Sequence, residues 1–165
     1  MSFRRLAGFT LLELMITLAV LAILTAIAVP GFQALLERNR LTSSTNDLLG
    51  ALMMARSNAV TRRVITHVCP STNASTCATG TVNWATGWIV TENPTNQAGR
   101  IRVAPALHPS LTVTTTLQAI AFDPAGNASD LANGASIELA NTSGQRCIRI
   151  RSSGQVVTEP NACSL

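Results

Sequence analysis

Residues 4–32 read RRLAGFTLLELMITLAVLAILTAIAVPGF. From Phe9 to Val29 the run holds 21 residues, with Glu13 its only charged side chain and Thr10, Thr17 and Thr25 its only other polar ones. As one helix, at about 1.5 Å per residue, it measures roughly 30 Å, the thickness of a bilayer's hydrocarbon core. A secretory signal would carry about 7–15 apolar residues with small residues after them. Here the stretch is longer, and the small pair Ala7-Gly8 precedes it. A cut at that pair leaves the helix on the mature chain. Arg4 and Arg5 hold the leader, residues 1–8, in the cytoplasm and send the carboxyl-terminal bulk outside. Residues 9–29 therefore read as a retained single-pass membrane anchor. A charged acid at bilayer depth costs about 3 kcal/mol, and a plain anchor has no need of Glu13.

The stretch Gly8-Phe9-Thr10-Leu11-Leu12-Glu13 resembles the cleavage and methylation signature of type IV prepilins. The resemblance implies a cut after Gly8 by a prepilin peptidase on the cytoplasmic face, and an N-methylated new terminus at Phe9. Pro30, the twenty-second residue after that cut, matches the proline common in pilin helices. Electrostatics then gives Glu13 a purpose. The α-amino group of Phe9 is cationic, and in a staggered helix bundle it lies beside Glu13 of a neighbouring subunit. A charge pair in low dielectric is favourable only once formed, so lone subunits are penalised and registered ones are not. Pro30 removes one helical hydrogen bond and loosens the end of the membrane segment.

About 135 residues follow, enough for one domain with its own core. Over 30–64, Phe32, Leu35, Leu36, Leu41, Leu48, Leu49, Leu52, Met53, Ala59 and Val60 keep helical spacing, an amphipathic continuation of the membrane helix. The Met53-Met54 pair reads as core filling. From 65 to 165 the pattern changes to short strands, with candidates at 64–69, 87–92, 101–106, 111–116, 119–123, 136–140, 146–151 and 154–158. Asp123-Pro124-Ala125-Gly126-Asn127 and Ser152-Ser153-Gly154 read as hairpin turns. The fold class is α+β: a long N-terminal α-helix, membrane half then amphipathic half, packed on a C-terminal antiparallel β-sheet domain. That is the pilin fold.

Within that class, CPSTNASTCATGTVNWATGWIV (69–90) and CIRIRSSGQVV (147–157) are similar to the FimT/FimU and GspH group of minor pilins and pseudopilins. This resemblance implies a non-enzymatic subunit whose partners are other major and minor pilins or pseudopilins. It would sit in the inner membrane with a periplasmic C-terminal domain, then join a type IV pilus or a type II secretion pseudopilus.

Cys69, Cys77, Cys147 and Cys163 all lie beyond the apolar run, and an even count in an exported domain argues for disulfides. Of the three connectivities, the local pairs Cys69–Cys77 and Cys147–Cys163 are expected. No C-x-x-C occurs and His67 and His108 lack ligand spacing, so no metal is expected. Asp123 and Asp130 stand near glycines and asparagines without the spacing of an EF-hand. Trp84 and Trp88 are expected to pack under the disulfide loop. Neither a nucleophile motif nor a phosphate-cradling glycine loop is present, so no catalytic residue and no cofactor is expected.

The chain has 12 arginines and no lysine, and its exported part carries about +3. In Arg146-Cys147-Ile148-Arg149-Ile150-Arg151, strand alternation sets Arg149 and Arg151 on one face, about 7 Å apart, with Ile148 and Ile150 on the other. Gly99-Arg100-Ile101-Arg102 repeats the arrangement. Charged strands deter edge-to-edge aggregation, and codon bias also enriches arginine. Some FimT-like members carry a carboxyl-terminal Gly-Arg-x-Arg string and bind DNA for uptake. Here the string stands at 99–102, and the closing hairpin has Gly144-Gln145-Arg146 instead. Arg100, Arg102, Arg146, Arg149 and Arg151 are accordingly the candidate contacts of a rival reading, a receptor for double-stranded DNA.

Overall fold

The computed structural model describes residues 9–80, 83–128 and 130–163. Gly8 and the other leader residues lie outside them. The chain divides into two compact units, one ending at Leu36 and the other spanning Glu37–Leu165. Helix α1, Leu11–Arg62, contributes to both and runs through Pro30 as continuous α-helix.

In the first unit every described residue from 9 to 36 is exposed. The hydroxyls of Thr17 and Thr25 donate to the carbonyls of Leu14 (2.8 Å) and Leu21 (3.0 Å), which satisfies them on an apolar surface.

In the second unit α1 turns one stripe inward: Leu41, Thr45, Leu48, Ala51, Leu52, Ala55 and Ala59 are buried, at the three- and four-residue spacing of one helix face. The helix stops at Arg62, and Arg63, at φ 56°, takes the left-handed conformation that follows many helix ends.

Eight strands follow: β1 (Thr66–Pro70), β2 (Trp88–Thr91), β3 (Arg100–Ala104), β4 (Thr112–Thr114), β5 (Ile120–Phe122), β6 (Ala135–Asn141), β7 (Gly144–Ile150) and β8 (Val156–Glu159). They form two antiparallel sheets, ordered β3-β2-β1-β5 and β4-β6-β7-β8. Ser152-Gly154 closes the β7–β8 hairpin, where the Gly154 N–H donates to Arg151 O at 2.8 Å. The Asp123–Asn127 turn also forms, with Gly126 N donating to Asp123 O at 2.8 Å. It is not a hairpin, because β5 pairs back with β1 while β6 pairs forward with β7. Local turn chemistry bends the chain without choosing the strands that pair.

The core gathers the α1 stripe with Val68, Trp88, Val90, Ile120 and Phe122 of the first sheet and Ile137, Leu139, Ile148 and Ile150 of the second. Trp84 and Trp88 belong to this core. Cys69 pairs with Ile89, next to Trp88 in the strand and so on the opposite face, which takes Trp88 away from the side of the sheet that carries the disulfide. The Trp84 Nε1 donates to Leu117 O at 2.8 Å. Met53 and Met54 do not fill the core. They are 52% and 39% exposed, because Ala51, Ala55 and Ala59 take the inward positions and bring the helix backbone close to the sheets. Two disulfides brace the unit, Cys69–Cys77 and Cys147–Cys163, with Cα separations of 5.5 and 5.0 Å.

Candidate functional site

The amino-terminal end of α1 is organised by Thr10. Its Oγ1 accepts the backbone N–H of Glu13 at 3.2 Å, and its carbonyl accepts that of Leu14, also at 3.2 Å. Thr10 is therefore the N-cap and Glu13 stands three residues on, the Thr-x-x-Glu spacing of a capping box. A carboxylate there faces the positive end of the helix dipole, an interaction of about 0.3–1 kcal/mol at an exposed site. This local use of Glu13 was legible in the sequence as Thr10-Leu11-Leu12-Glu13, and reading the run only as a bilayer segment hid it. Phe9, immediately before the cap, is 82% exposed.

The candidate arginines fall on two different sheets. Arg100 and Arg102 stand on β3, an edge strand. The Arg100 Nη1 donates to Ala74 O at 2.6 Å, and Arg102 pairs with Asp47 of α1 at 3.3 Å. On β7, Arg149 pairs with Glu159 at 3.2 Å, and just beyond it Arg151 Nη1 donates to Gln155 Oε1 at 3.0 Å. Ile148 and Ile150 are buried behind Arg149, as strand alternation requires. The β3 string differs: Ile101 and Val103, on the face opposite Arg100 and Arg102, remain exposed. Arg146 makes no such pair and lines a cleft with Arg38. Four of the five arginines thus serve contacts inside the domain.

Two polar junctions, absent from the sequence reading, tie the sheets to α1. Glu37 accepts from Arg40, from the Ser110 hydroxyl at 2.7 Å and from Asn141 Nδ2 at 3.1 Å, while Asn141 also donates to the Glu37 carbonyl at 2.7 Å. The Ser110 hydroxyl, then Arg40 and His108, hold the Glu37 carboxyl below its ordinary range against the opposing effect of desolvation. Arg56 forms the second junction, with bonds to two turns. Neither carries a local signal, because the partners lie 70 or more residues away.

A helix that is apolar and exposed over residues 11–29, then amphipathic against antiparallel sheets from Leu41 on, is the architecture of type IV pilin-like proteins. Two family models match the chain: Type II transport protein GspH over residues 44–154, and the Prokaryotic N-terminal methylation motif over residues 3–29. The chain belongs to the GspH family, within the GspH/FimT group of type IV minor pilins and pseudopilins. Its fold is similar to that of the type IV minor pilin FimU of Pseudomonas aeruginosa in two crystal forms. One gives a TM-score of 0.61 at 21% identity, covering 75% of this chain and 91% of the crystallised FimU chain. The other gives 0.59 at 20% identity, covering 73% and 93%. No curated protein sequence matches the chain.

Proposed function

We propose that the protein is a structural minor pilin or pseudopilin. Prepilin peptidase cuts it after Gly8, Phe9 becomes the N-methylated terminus, and residues 9–29 hold it in the inner membrane with the remainder periplasmic. It then joins or primes a type IV pilus or a type II secretion pseudopilus beside other pilins. The observation that carries this reading is the continuous exposed apolar helix, none of which is buried over its most apolar window. Such a surface requires a bilayer or a bundle of like helices around it. The methylation-motif match over 3–29 supports the processing step.

Glu13 sets the register of that bundle by pairing with the α-amino group of a neighbouring Phe9, and Pro30 gives the helix local freedom to bend. The rival reading as a DNA receptor gains no support from arginines that are split between two sheets, four of the five serving contacts inside the domain. The test is Glu13→Ala in the full chain. Membrane insertion should persist while incorporation into filaments and co-purification with other pilins are lost. Normal incorporation of the variant would refute the register role, and a native mass that retains residues 1–8 would refute the processing.

A further inference from the structure

A cleft in the second unit lies apart from the residues on which this assembly role rests. Its volume is about 240 Å³, and its walls include Arg38 and Thr42 of α1, Ser143 just before β7, Arg146 in β7, and Pro160 after β8. Arg38 and Arg146 have no hydrogen-bond or ion-pair partner among the described residues, whereas Arg40, Arg62, Arg102 and Arg149 are all paired with carboxylates. No acidic side chain lines the cleft. Two uncompensated guanidiniums beside a threonine hydroxyl form a donor set for an oxyanion, and the planar guanidinium fork matches phosphate oxygens. Leu41 adds an apolar wall that suits the carbon chain of an ester.

We propose that this cleft binds the phosphate of an anionic phospholipid headgroup. Arg38 stands nine residues after Val29, where the apolar run ends, so the proposal rests on residues 9–29 lying in the bilayer. That short tether favours lipid over free phosphate, because it keeps the cleft at high effective concentration near headgroups. An anionic surface also attracts each arginine close to it.

The experiment uses the full chain in detergent micelles, with native mass spectrometry counting retained lipids. Phosphatidylglycerol should be retained about thirtyfold better than phosphatidylcholine, the scale expected of two arginines near an anionic surface. Arg38→Gln with Arg146→Gln should bring the two lipids to parity without changing the thermal midpoint, since neither side chain has a structural partner to lose. Arg63→Gln, at an exposed arginine outside the cleft, should leave the preference intact. The proposal is overturned by an unchanged preference in the double variant, or by an equal loss in Arg63→Gln. It is also overturned if equimolar inorganic phosphate or a duplex oligonucleotide displaces the lipid. Cell fractionation separates the two readings: a chain absent from membranes defeats the anchor, and a membrane-bound chain without lipid preference defeats only the cleft.

Discussion

Arg56, on α1, donates its Nε to the carbonyl of Gly126 at 2.9 Å, and its Nη2 reaches the carbonyl of Ser153 at 3.1 Å. Gly126 follows β5 of one sheet, and Ser153 caps the β7–β8 hairpin of the other. One guanidinium therefore fastens both sheets to the helix. Arg56→Ala should lower unfolding free energy by about 2 kcal/mol, the scale of lost hydrogen bonds from a charged donor, as read from urea denaturation. Arg56→Lys should recover less than half, because a single ammonium cannot fork to two carbonyls set apart.

The same junction is sterically tight at Gly154, where φ is 73° and an added Cβ would overlap the Gly126 carbonyl oxygen. Gly154→Ala should destabilise by roughly 2–4 kcal/mol, combining left-handed backbone strain with a clash against backbone. Gly50, inside α1, predicts the opposite sign. Its added methyl would meet only Arg102 Nη1 at 3.7 Å, so Gly50→Ala should stabilise by about 0.5–1 kcal/mol. Thermal melts of the two variants test both signs at once.

The Cys147–Cys163 bridge ties the carboxyl-terminal segment to β7, and the Cys163 N–H donates to Glu138 Oε2 on β6 at 2.9 Å. Serine at both positions should cost about 3 kcal/mol for a loop of this length. The double variant should melt lower than the wild type under oxidising conditions, and reduction should narrow the difference between them.

Stability should fall with pH in two steps. Burial holds His67 below its ordinary value of 6.5, with Asp130 opposing. A depressed folded value means the unfolded chain binds protons first, so this contribution is complete above 6.5 and is lost as pH falls below it. The backbone N–H of Asn127 is the chief cause holding Asp123 below its ordinary 3.8, with further hydrogen bonds from the Asn127 side chain, Ala125 and Gly126 against desolvation. Its contribution is present above that value and disappears at lower pH, and Glu37 behaves in the same sense. Urea midpoints measured across pH should lose the first step in His67→Gln and weaken the second in Asp123→Asn.

The lengths and periods along this chain were legible before any fold. The apolar run, the helix beyond it and all eight strands follow from residue patterns a few positions wide, where side-chain spacing and turn residues act directly on the backbone. Even the cap that Thr10 sets on the helix start was written locally, in Thr10-Leu11-Leu12-Glu13. The inward stripe of α1 was legible only in part. Helical spacing admits several neighbouring faces: Ala59 turned inward as expected, but Met53 and Val60 stayed out while the sheets met Ala51 and Ala55 instead.

By itself, then, the sequence determined what each segment is: an exposed greasy helix, its amphipathic extension, short strands and paired cysteines. These are properties of neighbours in the chain. Tertiary structure alone decided that β5 and β6 part into separate sheets, that Arg56 and Glu37 become junctions, and that Arg38 and Arg146 share a cleft. Such pairings join residues separated by 70 to more than 100 positions, and they depend on which surfaces meet when the apolar faces are withdrawn from water.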